Sequence, residues 1–219
     1  MKKRIVAISD THTRLKEMNV PDGDILIHAG DACEFGTMAE VEQFGRDMRA
    51  LPHKHKLFIP GNHDKPFWTE ASEALALLGD SITYFPFKLI EVMGLKIYGM
   101  PLVAGMGQAA YNAFTVPPRS LEMSQACAAI PDDLDVLVTH GPPFGVRDCP
   151  AAGINVGCTN LRHRVEYARP KVHIFGHVHS NYGEEFGEEE GGSRIHFVNA
   201  CSSDRHYEPK NPPIIIEVD

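Results

Sequence analysis

Short apolar runs that end directly in carboxylate, amide or imidazole side chains recur along this chain of 219 residues. The run RIVAIS ends at Asp10, LIHAG ends at Asp31, and HKLFIPG ends at Asn62. Two later runs, DVLVT and KVHIFG, end at His140 and His177. Runs of this length and composition are typical of buried strands. Ligands of open α/β sheets bind at the carboxyl ends of the strands, so this recurrence predicts one functional edge.

The segments between these runs predict helices, a hairpin and two further strands. TMAEVEQFGRDMRAL has apolar residues at helical spacing, and Thr37 followed by Glu40 three positions later has the pattern of a capping box. Further helices are predicted for PFWTEASEALALLG, which ends at Gly79, for RSLEMSQACAAI and for TNLRHRVEYARP. FKLIEVMGLKIYGMP predicts a hairpin that turns at Met93-Gly94, and RIHFVNAC and PIIIEVD predict late strands. Because strands first alternate with helices and later dominate, we expect a layered α/β fold.

Two stretches lack a clear helical or strand period. Residues 101–118 predict a long ordered loop, a kind of segment that is often functional in compact domains. The acidic run at 184–193 predicts a solvated hairpin tip rather than a metal site, because like charges at a glycine-rich turn repel one another into water. No internal repeat or linker interrupts the chain, so we expect a single domain that covers residues 1–219.

The composition disfavours several classes of protein. The net charge of −8 disfavours non-specific binding to nucleic acid, although a local cationic pocket stays compatible with it. Five scattered cysteines without a CxxC spacing disfavour a disulfide framework and a structural zinc ribbon. The apolar stretch after MKKR is too short for a signal peptide, and no stretch is long enough to cross a bilayer. We therefore expect a soluble cytoplasmic protein without a membrane partner.

The polar residues at the strand ends form five short motifs. They are Asp10-Thr11-His12, Gly30-Asp31, Gly61-Asn62-His63-Asp64, Thr139-His140-Gly141 and Gly176-His177-Val178-His179. One histidine or aspartate after a strand is more often a turn residue or a helix cap, but turns alone do not explain five such motifs. Carboxylate, imidazole and carboxamide ligands without thiolate suit Mn, Fe, Zn or Mg. The ligands are too many for one tetrahedral ion, and a shared carboxylate would allow two ions about 3.5–4 Å apart, as in phosphoester cleavage.

In this order the motifs D-x-H, G-D, G-N-H-D, x-H-G and G-H-x-H resemble those of the calcineurin-like metallophosphoesterases. The stretches LIHAGD, THGPPFGVRD, VGC and NPPIIIEVD further resemble the small, uncapped metallophosphoesterase-domain-containing branch of that family, whereas the loop at 101–118 is less like it. The resemblance implies a layered sandwich of two mixed β-sheets flanked by helices. It also implies two divalent metal ions as cofactors, drawn from Mn, Fe, Zn and Mg, with Mn favoured.

The family pattern, carried over position by position, implies a role for each motif residue. It places one metal ion on Asp10, His12 and His179, places the other on Asn62, His140 and His177, and makes Asp31 the bridge between them. It places His63 beside the substrate as general acid for the leaving oxygen, and Asp64 as the residue that orients the His63 ring. The nucleophile that the resemblance implies is a hydroxide that bridges the two ions.

The stretch KVHIFGHVH contains three histidines, of which two belong to a motif. Alternate residues of a strand share a face, so Val172 and Ile174 face one way while His173 and Phe175 face the other. We therefore predict that His173 is a packed and hydrogen-bonded residue of the core. The two motif histidines follow the break at Gly176, and their spacing of two lets them point the same way.

The resemblance implies a hydrolase of small phosphoric esters, and within that class a phosphodiesterase for nucleotide-type diesters, cyclic nucleotides among them. Two alternatives stay open: a phosphomonoesterase or protein phosphatase with the same metal site, and a non-catalytic binding scaffold, against which the intact ligand set argues. Tyr111, Phe114 and Arg119 are candidates for base and phosphate contacts, although the two aromatic rings would serve equally as anchors of the loop. Arg147 is either another phosphate contact or a surface charge.

Overall fold

Two β-sheets packed face to face, with helices on their outer faces, make up the fold. The structure, a computed structural model, describes residues 2–150, 153–188 and 194–219, apart from the side chains of residues 110 and 111. Among the described residues, no helix is long and apolar enough to cross a membrane.

The first sheet has five strands, four of them parallel. β1 (Lys3–Ile8), β2 (Ile25–His28), β3 (His55–Phe58) and β4 (Thr83–Tyr84) follow one another across the sheet in chain order. β13 (Ile214–Val218), close to the end of the chain, pairs antiparallel with β1 and completes the other edge. Four of these strands, β1, β2, β3 and β13, are predicted from the sequence, and the two-residue β4 is not.

The second sheet has six strands in the order β11, β12, β10, β9, β6 and β5. Its inner strands β6 (Leu95–Met100), β9 (Val136–Thr139), β10 (Val172–Phe175) and β12 (His196–Asn199) are parallel to one another. The edge strands β5 (Leu89–Val92) and β11 (Gly183–Phe186) are antiparallel. β5 and β6 form the predicted hairpin, and both of its turn residues, Met93 and Gly94, have positive φ.

The apolar core between the sheets follows from the alternation of side chains along each strand. One face of every central strand carries aliphatic side chains that are at most 3% exposed. These inner residues include Ile5, Ala7, Ile25, Ile27, Leu57, Ile97, Val136, Val138, Val172, Ile174 and Val198.

The outer faces of the sheets carry the helices. α1 (Met38–Ala50) begins with the predicted capping box of Thr37 and Glu40, and its Phe44 ring packs on Phe58 of β3. The helix predicted over 66–79 is two helices, α2 (Pro66–Thr69) and α3 (Ala71–Leu78), because Glu70 leaves the helical region of backbone angles. α4 (Leu121–Ala128) and α5 (Thr159–Ala168) share the outer apolar cluster with residues of the second sheet.

The two stretches without a period are more regular than the sequence indicates. The segment 101–118 contains the paired strands β7 (Val103–Ala104) and β8 (Thr115–Val116), with a 3₁₀ turn at Gly107–Tyr111 between them. The acidic run contributes β11, which pairs with β12 as one side of a hairpin. Residues 189–193, the predicted tip of that hairpin, lie outside the described residues.

The carboxyl ends of the parallel strands of both sheets meet at one edge of the sandwich. Just beyond β1, the Ser9 amide donates to the Ala200 carbonyl at 2.9 Å, and the Ser202 amide donates to the Ser9 carbonyl at 2.8 Å. These backbone bonds join the first sheet to the segment that follows β12. Every predicted motif lies at this edge.

Candidate metal centre

The strand ends of the two sheets bring the predicted metal ligands together. β1 leads to Asp10 and His12, β2 to Asp31 and β3 to Asn62 in the first sheet, and β9 and β10 lead to the three other histidines in the second. Within the part of the chain that the structure describes, three groups of side chains have ligand atoms that all lie within 4.8 Å of one another. The groups are Asp10, His12 and Asp31; Asp31, His140 and His177; and Asp10, His179 and Cys201.

Backbone carbonyls fix the orientation of three of the histidine rings. Nδ1 of His12 lies 3.0 Å from the Cys33 carbonyl, Nδ1 of His179 lies 3.0 Å from the Asp204 carbonyl, and Nδ1 of His140 lies 2.9 Å from the Ala29 carbonyl. A carbonyl only accepts hydrogen bonds, so each Nδ1 carries the hydrogen, and Nε2 of the neutral ring presents its lone pair to the cluster.

Two of these lone pairs face each other. Nε2 of His12 lies 3.3 Å from Nε2 of His179, and the Asp10 carboxylate lies 3.4 Å from the same His179 nitrogen. Two imidazole nitrogens in this position require a shared cation between them, either a proton or a metal ion. Carboxylate, imidazole and amide donors fit a hard or borderline divalent ion, so the residues present suit the ions that the sequence predicts.

The buried carboxylates hold their charge through the histidines around them. Burial raises the pKa of Asp31, but the nearby His140, whose Nε2 lies 3.2 Å away, outweighs burial and holds that pKa below its usual range. Burial lowers the pKa of His140, but Asp31 outweighs it in turn and raises the pKa to about 9. Burial lowers the pKa of His177 to about 4 and leaves that ring neutral. Because a metal ion requires deprotonated ligands, binding a cation here would release the His140 proton.

Four of the predicted ligands have strained backbone conformations. Asp10, His12, Asp31 and His177 have φ of 51°, 41°, 57° and 70°, in the left-handed region that residues with a Cβ rarely adopt. Such conformations cost about 1–3 kcal/mol each and persist where the surrounding structure imposes them, most often at functional sites. Four of the predicted ligands are therefore held in strained conformations, a feature that they share with other described residues such as Phe87 and Asp133.

Two glycines of the motifs allow the ligand segments to approach closely. A Cβ on Gly61 would collide with the Asp31 carboxylate and the His140 ring. A Cβ on Gly176 would collide with the Asp10 carboxylate and the Ser9 side chain. These two positions need glycine for packing, because any larger residue would push the carboxylates out of the cluster.

His63 lies beside the ligands without belonging to a ligand group. Its ring is edge-on to the His12 ring, with 4.9 Å between centroids, and its Nδ1 donates to the Glu34 carbonyl at 2.7 Å. Its backbone amide donates to Asp31 at 2.8 Å, which holds the residue at the rim of the cluster. This position agrees with the predicted contact to substrate, which stays a prediction.

Asp64 differs from its predicted role as the partner of the His63 ring. Its carboxylate accepts hydrogen bonds from the backbone amides of Gly61, Asp31 and Cys33 at 2.8–2.9 Å, while the His63 ring donates to a carbonyl. Burial, with the neighbouring Asp31 charge, raises the pKa of Asp64 to about 6. The prediction that Asp64 orients the His63 ring is therefore wrong: Asp64 holds the loops that carry Asp31 and Asn62.

The predicted substrate contacts lie at different distances from the cluster. Phe114 is 4% exposed and packs against Trp68 with 5.0 Å between ring centroids, so it anchors its loop, which is one of the two predicted alternatives. The side chain of Tyr111 lies outside the described part of the structure. Arg119 lines a neighbouring groove. Arg147 donates to the carbonyls of residues 181, 182 and 184 and lies near Glu185, so it holds the segment after β10 rather than a phosphate.

Residues 201–211 complete the site, and the sequence motifs do not include them. The buried Cys201 thiol lies 3.0 Å from the Asp10 carboxylate, and burial raises the pKa of this thiol well above its usual value, so it donates to Asp10. The Ser203 hydroxyl donates to the Asp10 carbonyl at 2.7 Å, and Tyr207 packs on the rings of two ligands. The sequence contains an indication of this role, because RIHFVNAC is another strand run that is followed directly by polar residues.

Comparison with known proteins agrees with this geometry. The family model described as calcineurin-like phosphoesterase matches residues 3–181. The chain belongs to this family. A UPF0046 protein of Caenorhabditis elegans is 37% identical over 238 residues, which cover 99% of this chain and 81% of the relative. Metallophosphoesterase domain-containing protein 1 of Homo sapiens is 33% identical over 241 residues, which cover 98% of this chain and 71% of the relative. These relatives support the uncapped, metallophosphoesterase-domain-containing branch.

Solved structures at low identity share the fold. The phosphopantetheinyl hydrolase of Mycobacterium tuberculosis superposes with a TM-score of 0.66 at 15% identity, over 99% of this chain and 96% of that one. A protein of Thermus thermophilus superposes with a TM-score of 0.60 at 16% identity, over 100% of this chain and 99% of that one. The family and the ligand groups together make the protein a metal-dependent hydrolase of phosphoric esters.

Proposed function

We propose that this phosphoesterase hydrolyses nucleotide-type phosphodiesters, cyclic nucleotides among them, with two divalent ions of which Mn is favoured. The proposal rests on the partly apolar cavity beside the predicted ligands. A cavity of about 600 Å³ is lined by His177 and His179 and also by the apolar side chains of Met106 and Val156. A diester places organic groups on both sides of phosphorus, and this cavity offers an apolar wall for the second group.

The apolar wall continues into a second groove. Met106 and Val156 also line a groove of about 900 Å³, together with Phe144, Ile154 and Arg119. Apolar walls with a few polar groups suit the faces and edges of a nucleobase, and Arg119 supplies a positive charge there. This groove could therefore bind the base, with Arg119 among its lining residues and without Phe114.

We assign the ions to the two sets of ligands that the family pattern implies. Asp10, His12 and His179 would hold one, Asn62, His140 and His177 the other, and Asp31 would be shared. When bound, the ions supply Lewis acidity and lower the pKa of bound water. The chain itself supplies three things: carbonyls that keep Nε2 of the ligand histidines free, the Asp64 carboxylate that fixes the ligand loops, and His63, which holds a proton for the leaving oxygen.

We also propose that the chain acts in the cytoplasm as one domain. The thiols at Cys33, Cys127, Cys149, Cys158 and Cys201 are all free, and four of them are buried, as expected in a reducing compartment.

The test compares matched diesters and monoesters. We expect kcat/KM for bis(4-nitrophenyl) phosphate and for a cyclic nucleotide to exceed kcat/KM for 4-nitrophenyl phosphate and the matching nucleotide monophosphate. The panel is run with Mn, Fe, Zn and Mg, with metal content measured for each preparation. A preference for monoesters with every ion would refute the diester proposal in favour of the phosphomonoesterase. Absence of turnover with fully loaded protein would favour the scaffold.

A further inference from the structure

The segment after β12 is a tightly bonded turn that lies against the metal ligands. The Asp204 carboxylate accepts hydrogen bonds from the amides of His206 and Glu208 at 2.8 and 3.1 Å, and it pairs with Lys210 at 2.9 Å. The Asn211 side chain closes the turn on the Cys201 carbonyl at 2.9 Å. We refer to residues 204–210 as the C-terminal turn.

The C-terminal turn is bonded to both sheets at the active edge. The Asp204 carbonyl accepts the hydrogen bond of His179 Nδ1, which fixes that ligand ring. From the loop after β1, Arg14 donates to the Tyr207 carbonyl at 3.1 Å and pairs with Glu208 at 3.1 Å. The turn is therefore held in place at the site and is not a loose surface loop.

Tyr207 is held in an unfavourable conformation beside the ligands. Its φ is 61°, which is strained for a bulky residue, and yet the residue is 42% exposed. The Tyr207 ring lies 4.8 Å from the His12 ring and 5.0 Å from the His179 ring, measured between centroids. A half-exposed ring adds little to the apolar core, and its two ring contacts place Tyr207 against the predicted ligands His12 and His179.

Arg205 brings a positive charge to the same cavity. The cavity that His177 and His179 line is also lined by Arg205 and Tyr207, and no carboxylate is among the described residues that line it. Arg205 is exposed, and it hydrogen-bonds His206 at 3.0 Å without an ion pair to any residue that the structure describes. A guanidinium without a counter-ion beside a metal centre is suited to bind an anion.

We propose that the C-terminal turn forms an anion subsite in which Arg205 binds the phosphate group of the substrate and Tyr207 forms the adjoining wall. Arg205 would supply the phosphate contact that was one of the two alternatives predicted for Arg147, whose guanidinium is occupied by carbonyls. The subsite deepens the proposed function, on which it rests, because it concerns the phosphate that every candidate substrate shares. The phosphate thereby gains a protein donor that is independent of the ions.

Binding of inorganic phosphate to Mn-loaded protein tests the subsite by calorimetry. We expect Arg205→Ala to weaken phosphate binding about 10–100-fold, the loss of one charge-assisted contact, and Arg205→Lys to weaken it less. Arg46→Ala is the matched control, because Arg46 is an exposed arginine of α1 that pairs with Glu42. Metal content is measured for each variant and is expected to stay at the wild-type level.

The same variants are then compared in hydrolysis of bis(4-nitrophenyl) phosphate. We expect Arg205→Ala to raise KM more than it lowers kcat, and Tyr207→Ala to raise KM while the protein keeps its metal. Phosphate binding by Arg205→Ala within twofold of wild type and of Arg46→Ala would overturn the subsite. If the diester preference fails while phosphate binding still depends on Arg205, the substrate proposal is lost and the subsite is supported.

Discussion

His63 differs from the ligand histidines in what its ring contacts. Its Nδ1 donates to the Glu34 carbonyl, so Nε2 is the nitrogen that exchanges a proton with a substrate. To donate a proton from Nε2 the ring must carry a hydrogen on both nitrogens, and the backbone bond to Asp31 holds the residue where Nε2 is free of the predicted ligands. At the scale of the single residue, the structure therefore allows His63 to act as an acid without binding metal.

The His63→Ala variant separates acid catalysis from other roles. We expect a loss of about 10²–10⁴-fold in kcat on nucleotide esters, because an alkoxide needs a proton as it leaves. The loss on nitrophenyl esters should be much smaller, because the nitrophenyl ring spreads the charge of the leaving oxygen. The measurement is kcat on both ester types, with metal content checked. Equal losses on both with the metals retained would show that His63 positions the phosphate instead.

Residue types at the site were largely predictable, whereas their hydrogen-bond partners were not. Metal chemistry restricts ligands to a few side chains, so Asp10, Asp31 and the motif histidines are recognisable by type and spacing. Asp64 also lies in a motif, but its role depends on three backbone amides, of which those of Asp31 and Cys33 belong to another loop, distant in sequence. Arg147 and Tyr207 show the same limit, since their roles depend on contacts distant in sequence.

At the scale of the element, β10 shows how a strand separates structural from functional histidines. His173 is fully buried, and its Nε2 lies 2.9 Å from the Thr139 hydroxyl at the end of β9. That hydroxyl donates to the Gly141 carbonyl at 2.6 Å, so it accepts the hydrogen of the His173 ring. The predicted packed, hydrogen-bonded role of His173 agrees with this arrangement, which joins β10 to β9 just before His140.

Replacing His173 should alter stability and its pH dependence rather than rate. Burial lowers the pKa of His173 to about 3. The unfolded chain takes up a proton near pH 6.5 and the folded chain does not, so stability falls as pH drops from about 6.5 towards 3, by about 1.4 kcal/mol per pH unit for this ring. We expect His173→Gln to lower the free energy of unfolding by about 1–2 kcal/mol at pH 7. Between pH 7 and pH 5, the free energy of unfolding of the variant should fall by about 2 kcal/mol less than that of wild type.

Urea unfolding at pH 7, 6 and 5 gives both quantities. His163→Gln is the control, since His163 is an exposed histidine of α5, and it should leave the pH dependence unchanged. His28 is also buried with a lowered pKa, so it contributes equally to the pH dependence of stability in wild type and in both variants. If His173→Gln kept wild-type stability and lost activity, the structural role would be refuted.

Long elements were easier to predict than short ones. The capping box of α1 and the hairpin of β5 and β6 are local, so their residues alone determine them. β4, β7 and β8 have two residues each and exist because a neighbouring strand offers hydrogen bonds. The break at Glu70 between α2 and α3 likewise lies inside a helical pattern. Such features depend on tertiary contacts that a local pattern does not contain.

At the scale of the whole molecule, the predicted ligands are divided between the two sheets. Asp10, His12, Asp31 and Asn62 follow strands of the first sheet, and the three other predicted ligands follow strands of the second. Without a cation, buried carboxylates and histidines must share protons across this seam, as the raised pKa of His140 shows. Metal ions bound between the sheets would cross-link them and replace those protons.

Metal removal should therefore destabilise the whole fold and not the site alone. A ligand present at about 100 times its Kd stabilises a protein by about 2.7 kcal/mol, which for a chain of this size raises Tm by about 5–10 °C. We expect the Tm of Mn-loaded wild type to exceed that of EDTA-treated wild type by about 5–10 °C. Asp31→Asn should lose most of this difference in Tm, because the proposed bridging carboxylate would contribute to both ions, whereas His12→Ala should retain part of it.

Thermal unfolding of each variant with Mn and with EDTA, together with elemental analysis, measures this difference. Asp80→Asn, at an exposed turn, is the control and should behave as wild type. If Asp31→Asn held two ions and its Tm rose with Mn as in wild type, the bridging role of Asp31 would be refuted. If Tm in wild type did not depend on metal although the ions were bound, the sheets would be held by their backbone bonds and apolar core alone.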